Sequence, residues 1–487
     1  MSSVSVVIPV HNAAGYLREC LEHLRQSVNV EYECIVVDDG STDESAEIAA
    51  QFGTTVLRTD RKRGPAFARN LGAGKAHGEI LLFIDADVCV YPDTIARIMA
   101  TFEQDAGVAA VIGSYDDCPE SQDFLSRYRN LMHCYVHHHS HREACTFWSG
   151  CGAIRKSIFH KYSGFNESYE RPAIEDIELG FRMSRDGNKI LLDASILVKH
   201  LKRWSFLSLV KTDILDRGIP WTELILEDRF LPNDLNLQLS QRVSVALVFI
   251  LLGIASAGAW YAGSAFILVL LTLLFLTLIP FWVESTWKTT PKAVIAATVQ
   301  ITAIALLAYH NRANWMIPPV LLAYALLFVK HRYSFTSLRR KQITGLVCGI
   351  YLAFVVLMVV IYLPHHPLIF WFFLLLSVTI LLNSQFYVFL AGRTGGLLAL
   401  GAIPFHLLFH FYNGISFLAG GARYLVHHLF PNRSNGGQFD ASKQPVTHAP
   451  PVRNRAAAAS AGVQADVRNR PNSPIWQANS TGNNPAP

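Results

Sequence analysis

Apolar and polar positions alternate in short blocks over the first 200 residues. The apolar runs at 4–10, 33–38, 54–58, 79–84, 107–112 and 146–153 have the length of buried strands. Between them, 15–26, 43–52, 65–76, 93–104, 121–136 and 174–186 carry helical spacing, and Ser41-Thr42-Asp43 supplies an N-cap cluster for the second of these. Strands alternating with helices predict an α/β domain: a mostly parallel sheet with helices on both faces. The pattern then changes. Over 203–231, Trp204, Phe206, Leu209, Ile214, Trp221 and Leu224 recur at near-helical spacing among Lys202, Arg203, Lys211 and Arg217, as in a helix lying in a membrane interface. From 243 to 420 the chain is almost continuously apolar. Stretches near the length of a span fall at 243–260, 263–283, 293–309, 315–329, 343–363 and 368–390. A seventh, 397–418, holds His406, His410 and Asn413, which predicts an interfacial helix or one packed inside a bundle. Residues 431–487 are dominated by Pro, Asn, Ala and Ser and predict a disordered tail. The expected organisation is therefore a soluble α/β domain over 1–200, an amphipathic interfacial segment over 201–240, an all-α membrane domain of six or seven helices over 241–420, and the tail.

Composition sharpens this division. Hydrophobic residues make up 51% of the 487 and charged residues only 16%, against roughly 25% in soluble proteins, which excludes a wholly soluble two-domain enzyme. The formal net charge of +5 implies no nucleic acid or other strong polyanion as partner. Eight cysteines without Cys-x-x-Cys pairs suit a reducing compartment. The first strand follows two serines with no basic start and no cleavage site, which predicts that the first domain stays in the cytosol. The basic loop from Lys330-His331-Arg332 to Arg339-Arg340-Lys341 then falls on the cytosolic side, as the positive-inside rule requires. The expectation is an integral protein of the cell (inner) membrane with a cytosolic catalytic domain.

In α/β sheets, ligands gather beyond the carboxyl ends of the strands. Those ends read Pro9-Val10-His11-Asn12, Asp38-Asp39-Gly40-Ser41-Thr42-Asp43 and Phe83-Ile84-Asp85-Ala86-Asp87. An Asp-Gly-Ser-Thr-Asp run alone is most often a turn and a helix cap, but acidic groups after successive strands of one sheet repel unless a cation or donors compensate. Asp85 and Asp87, two apart, project from one face of an extended segment. Two hard oxygen ligands with open positions beside them suit Mg²⁺ or Mn²⁺ bridging a diphosphate. A dinucleotide fingerprint fits less well, because the Gly after Gly72-Ala73-Gly74 is misplaced and the run lies at a helix end and not after a strand, and a Walker A loop is excluded because position 69 is Arg.

These motifs, with Gly64-Pro65-Ala66-Phe67-Ala68-Arg69-Asn70, Trp148-Ser149-Gly150-Cys151-Gly152-Ala153, Gly164-Phe165-Asn166-Glu167 and Ile174-Glu175-Asp176-Ile177-Glu178-Leu179-Gly180, resemble family 2 glycosyltransferases of the GT-A (Rossmann-like) fold over about residues 3–205. The resemblance implies that Pro9, Asn12, Asp38 and Asp39 hold the nucleotide and that Arg69 faces the diphosphate. It implies that Asp85 and Asp87 form the Asp-x-Asp metal motif, with Asp85 also toward the nucleotide sugar. Asp176 becomes the general base, with Glu175 beside it as the alternative, and Trp148 and Gly150 line the acceptor side. Lys202-Arg203-Trp204 is similar to the Arg-Trp element of processive members, though His200 or Leu201 stands where Gln is expected. That assigns Arg203 and Trp204 to the acceptor, or else to a membrane anchor. The chemistry agrees: a divalent metal offsets charge on a leaving diphosphate, while a carboxylate on the opposite face takes the proton of the attacking hydroxyl, a single inverting displacement. A structural reading of Asp176 is that it caps its helix.

The histidines and cysteines of 133–145 match no standard zinc spacing. The expected activity is transfer of a sugar from a nucleotide diphosphate donor, UDP-linked by expectation, to a lipid or lipid-linked acceptor at the cytosolic face. Its rivals are a processive polysaccharide synthase with a translocation channel and a transporter component that only binds nucleotide sugar.

Overall fold

The computed structural model describes residues 3–263 and 367–429. The candidate spans at 263–283, 293–309, 315–329 and 343–363 and the tail at 431–487 fall almost wholly outside the described residues.

The N-terminal part is a mixed nine-stranded sheet with helices on both faces. Its strands are β1 (Val4–Val10), β2 (Tyr32–Asp38), β3 (Thr55–Arg58), β4 (Ile80–Ile84), β5 (Val88–Val90), β6 (Val108–Tyr115), β7 (Glu143–Ala144), β8 (Cys151–Arg155) and β9 (Lys189–His200). Their spatial order is β3-β2-β1-β4-β8-β6-β9-β5, with β7 also on β9. The sheet is less parallel than its alternating pattern predicts. β3, β2, β1 and β4 run parallel, as does β6 with β9, but β8 is antiparallel to both β4 and β6, and β5 and β7 are antiparallel to β9. Residues 146–150, expected inside a strand, form the approach to β8, which begins at Cys151.

The period-two alternation of strands explains the two cores. Val4, Val6, Ile8 and Val10 of β1 face α1 (Ala14–Leu24) and the cluster that α2 (Ser45–Gln51) and α4 (Thr94–Gln104) complete. Val7 faces the other way, toward α3 (Pro65–Lys75), α6 (Lys156–Lys161) and α7 (Glu175–Arg185). Pro65 opens α3, where its missing N–H is no loss, and Gly64 before it sits at φ +99°. A Cβ there would meet the Glu170 carbonyl oxygen at 2.5 Å, so the turn into α3 admits only glycine.

A third cluster joins the sheet domain to the helices. α5 (Phe124–His138) brings Phe124, Tyr128, Leu131 and Met132 against Leu209 of α8 (Phe206–Lys211) and against three later helical residues, Phe386, Leu390 and Phe409. After α8 the helix widens over Thr212–Gly218 and resumes as α9 (Ile219–Asp228). The stretch expected to lie in the interface is thus helical, but one face packs on protein: Leu209, Asp213, Thr222 and Leu224 are buried, while Phe206, Leu207 and Leu215 stay exposed.

Then come α10 (Leu239–Ala262), α11 (Pro367–Leu382), α12 (Ser384–Thr394) and α13 (Gly396–Leu429). Among the described residues two helical stretches, Leu239–Tyr261 and Leu398–Leu429, are long and apolar enough to cross a membrane. The span expected at 368–390 is not one straight helix, because the chain bends by 64° at Asn383. The 397–418 segment lies within the 34-residue α13. Arg129 Nη2 of α5 pairs with Asp213 Oδ1 at 2.6 Å, and the Tyr412 hydroxyl of α13 donates to Asp213 Oδ2 at 2.7 Å. Arg393 of α12 meets Asp117 at 2.5 Å.

Candidate active site

Sheet register brings the candidate residues together. Val10 pairs with Asp38 and Ile84 with Cys151, so the ends of β1, β2 and β4 and the start of β8 share one edge. Asp85 and Asp87 are not in extended chain, as their spacing suggested. They sit in a turn closed by the Val88 N–H on the Asp85 carbonyl at 3.0 Å. Both side chains remain accessible, 34% for Asp85 and 23% for Asp87, while Ala86 between them is buried.

The two acidic pairs differ. Asp38 is fully buried, its Oδ1 accepting from the Ser41 N–H at 2.9 Å and its Oδ2 ion-paired with Arg58 Nε at 3.1 Å without hydrogen-bond alignment. Asp39 is 3% exposed. Its Oδ1 accepts from the Arg63 N–H at 2.9 Å and the Thr59 hydroxyl at 3.1 Å, and its Oδ2 from the Gly64 N–H at 2.7 Å. Expected to hold the nucleotide, Asp39 instead closes on the 59–64 loop, whose backbone donors satisfy it. Asn12, at φ +51°, accepts through Oδ1 from the Thr42 N–H at 2.8 Å, and Pro9 is half-buried near the end of β1.

Arg69 is 4% exposed and does not point into open space, as the diphosphate role required. Its Nη2 donates to Asp85 Oδ1 at 2.7 Å and its Nη1 to Glu175 Oε1 at 2.8 Å, leaving Nε buried without a partner. Burial would lower its pKa, but Asp85, Glu175 and Asp176 outweigh it and hold the cation firmly charged. Glu175 Oε2 accepts from the Ala173 N–H at 2.9 Å, so both its oxygens are engaged. Burial first, then the nearby Asp176 charge, raises its pKa against the pull of Arg69.

Although the N-cap of α7 is Ile174, which makes no side-chain cap bond, Asp176 Oδ1 accepts from the first-turn Ile177 N–H at 2.8 Å. Its Oδ2 accepts from the Ser149 N–H at 2.9 Å and from the Ser149 hydroxyl at 3.0 Å. Gly150 lies under Trp148, where a Cβ would come within 2.6 Å of the indole. An unbroken chain of contacts therefore links Asp85, Arg69, Glu175, Asp176 and Ser149.

The sequence reading missed His200 as a partner of the acidic turn. β5 pairs with β9 so that Val88 opposes His200, the Leu201 N–H donates to the Asp87 carbonyl at 2.9 Å, and His200 Nε2 lies 3.8 Å from Asp87 Oδ2. Burial opposes ionisation of Asp87, yet His200 and Lys202 still hold its pKa down. The signal was present, a histidine ending an apolar run, but β9 was not among the predicted strands. Tyr115 stacks on His200 at 4.3 Å and meets Trp148 edge-on at 4.9 Å; His133 lies 4.4 Å from Tyr115 and 4.7 Å from Trp148. His133 Nδ1 is buried without a partner, and burial with His137, Arg129, Arg217 and His200 keeps the ring neutral. No histidine of 133–145 enters a three-ligand cluster among the described residues.

Two acceptor expectations fare worse. Trp204 is 7% exposed, buried in the joint between the domain and the helices, and its ring cannot stack on a sugar from there. Arg203 points outward, 3.6 Å from Asp123.

The fold thus gathers acidic and aromatic groups at one strand-end edge of a mixed α/β sheet. Residues 5–163 match the family described as Glycosyl transferase family 2. GlyG of Streptococcus pneumoniae serotype 4, a glycosyltransferase, is 40% identical over 124 residues, 24% of this chain and 40% of its own. The glycosyltransferase AglE of Haloferax volcanii is 36% identical over 120 residues, 23% of this chain and 39% of its own. The chain thus spans less than half the length of these relatives. Among solved structures, the Pyrobaculum calidifontis mannosyltransferase PcManGT in complex with GDP-Man and Mn²⁺ aligns with a TM-score of 0.39 at 16% identity, over 69% of this chain and 88% of that one.

Proposed function

We propose that the protein is a membrane-anchored, inverting glycosyltransferase that moves a sugar from a nucleotide diphosphate donor, UDP-linked in the first instance, to a lipid or lipid-linked acceptor at the cytosolic face. The observation that carries this reading is the contrast among the carboxylates. Asp38, Asp39, Glu175 and Asp176 are held by donors of the protein itself, whereas Asp85 and Asp87 remain accessible beside Arg69 and His200.

The donor set of the acidic turn fits a hard divalent cation: two accessible carboxylates, one oxygen of Asp85 held by Arg69, and room for further oxygen ligands. Asp85 and Asp87 would hold Mg²⁺ or Mn²⁺, which when bound offsets charge on the leaving diphosphate. Arg69 fixes the Asp85 carboxylate in place and holds Glu175 beside it. His200 orients Asp87. Asp176, aligned by the two Ser149 donors, takes the proton from the attacking hydroxyl. Tyr115, His133 and Trp148 form an aromatic wall against which a sugar face packs. The acceptor's lipid character is supported by the helices that follow: two are long and apolar enough to cross a bilayer, and one of these, α13, packs in the cluster that contains α5. Burial of Trp204 takes away the stacking residue that polymer synthesis would use, so single transfer is the preferred reading.

The test is transfer of labelled sugar from UDP- and GDP-linked donors to a membrane lipid extract, with products read by mass spectrometry, on parent and Asp176→Asn protein. The substitution keeps shape but not basicity. General bases contribute ~10²–10⁴-fold, so turnover should fall by about that factor with donor affinity unchanged. Equal turnover would remove Asp176 as the base, and a product ladder would restore the polymerase reading.

A further inference from the structure

A cluster between α1 and β5 takes no part in this chemistry. Glu19 and His23 are one turn apart on α1, and they face Cys89 in the middle of β5. One ligand atom from each lies within 4.8 Å of the other two. We propose that Glu19, His23 and Cys89 form a binding site for a thiophilic divalent cation of the zinc class, separate from the acidic turn at Asp85 and Asp87.

Three features support it beyond proximity. His23 Nδ1 lies 2.9 Å from the Glu19 carbonyl oxygen. A carbonyl only accepts, so Nδ1 carries the proton and the Nε2 lone pair is left for a ligand, the arrangement that second-shell carbonyls impose on metal-binding histidines. The Glu19 carboxylate makes no hydrogen bond or ion pair among the described residues, although it is half-buried. The Cys89 thiol is buried and free. The donor set also discriminates. One nitrogen, one oxygen and one sulfur suit tetrahedral Zn²⁺ with a fourth position for water, and disfavour Mg²⁺ and Mn²⁺, which take oxygen ligands. Metal–ligand bonds of roughly 2.0–2.3 Å put ligand atoms under ~4 Å apart, a closure that rotation of the half-exposed Glu19 and His23 side chains supplies. Binding replaces the thiol S–H with a thiolate–metal bond and releases the proton to water. The filled site would clamp α1 to β5, the strand that follows the acidic turn and pairs with His200 on β9.

The test uses the full-length protein in detergent, stripped with chelator and titrated with Co²⁺ as a spectroscopic substitute for Zn²⁺. One equivalent should develop tetrahedral ligand-field bands and a thiolate charge-transfer band, both lost on adding Zn²⁺ and untouched by excess Mg²⁺. Cys89→Ser should abolish the charge-transfer band. Because Cys89 is buried, His23→Gln provides the second arm: its site is half-exposed on a helix, and Co²⁺ affinity should fall ~10-fold or more. Asp87→Ala should keep both bands. Absence of a thiolate band in the parent, its persistence in Cys89→Ser, unchanged affinity in His23→Gln, or its loss in Asp87→Ala would each overturn the site. None of these readouts depends on transferase activity.

Discussion

The acidic groups after β2 and those after β4 look alike in the sequence, two aspartates at the end of an apolar run. In the fold they differ in what surrounds them. Asp38 and Asp39 are turned inward: backbone donors fill Asp39, and Asp38 has one backbone donor and an ion pair with Arg58. Asp85 and Asp87 occupy a turn, stay accessible, and have one arginine and one histidine between them. A carboxylate whose lone pairs are filled by its own chain stabilises a loop; one left open at a strand end is available to a ligand.

The largest expected effect lies at the open pair. Asp87→Ala, or chelation of the parent, should remove transfer by about 10³-fold or more, and Mn²⁺ or Mg²⁺ should restore the chelated parent but not the variant. Its thermal unfolding should match the parent. Full turnover in chelator would end the distinction between the two pairs. Asp39→Ala should act in the opposite sense on the two readouts. It strands the Arg63 and Gly64 N–H groups and should cost about 1–3 kcal/mol of stability, read as a lower unfolding temperature. If it stays as stable as the parent yet loses donor affinity, Asp39 is a ligand group and the comparison fails.

The smallest effect concerns an acidic group far from the edge. Partial burial would raise the Glu33 pKa, but hydrogen bonds from His77, Ser5 and Gly78 outweigh it and hold the carboxyl down to about 2. A depressed folded pKa adds stability above the unfolded value of about 4.3, and that stability is lost as pH falls through about 2. Denaturant midpoints between pH 5 and 2 should therefore fall more steeply for the parent than for Glu33→Gln. Parallel curves would show that these bonds contribute nothing.

The elements legible in the sequence are those whose pattern is local. β1, β2 and β4 are apolar runs bounded by polar turns, and α3 is announced by Gly64-Pro65. β9 was not predicted, because Lys189–His200 mixes charge with apolar residues and is held by pairing to β6, β5 and β7 at long range. The same separation explains the site. That Asp39 would be met by backbone donors 24 residues away, or Arg69 by Glu175 106 residues away, is a property of the folded edge. Trp204 misled for a similar reason: an aromatic beside Lys202 and Arg203 suits a surface, but Phe386 and Tyr387, nearly two hundred residues on, bury it.

The polar tie at Asp213 also has a consequence in time. Arg129 and Asp213 are both made long before Tyr412, which stands 199 residues after Asp213 in the chain. At synthesis rates of roughly 5–20 residues per second, this ion pair waits about 10–40 s for the hydroxyl that completes it and for the helix that covers it. During that interval α5, beside the aromatic wall, lacks its last packing partner. The sheet domain is thus made first but finished last, its α5 side packed only when the final described helix has arrived.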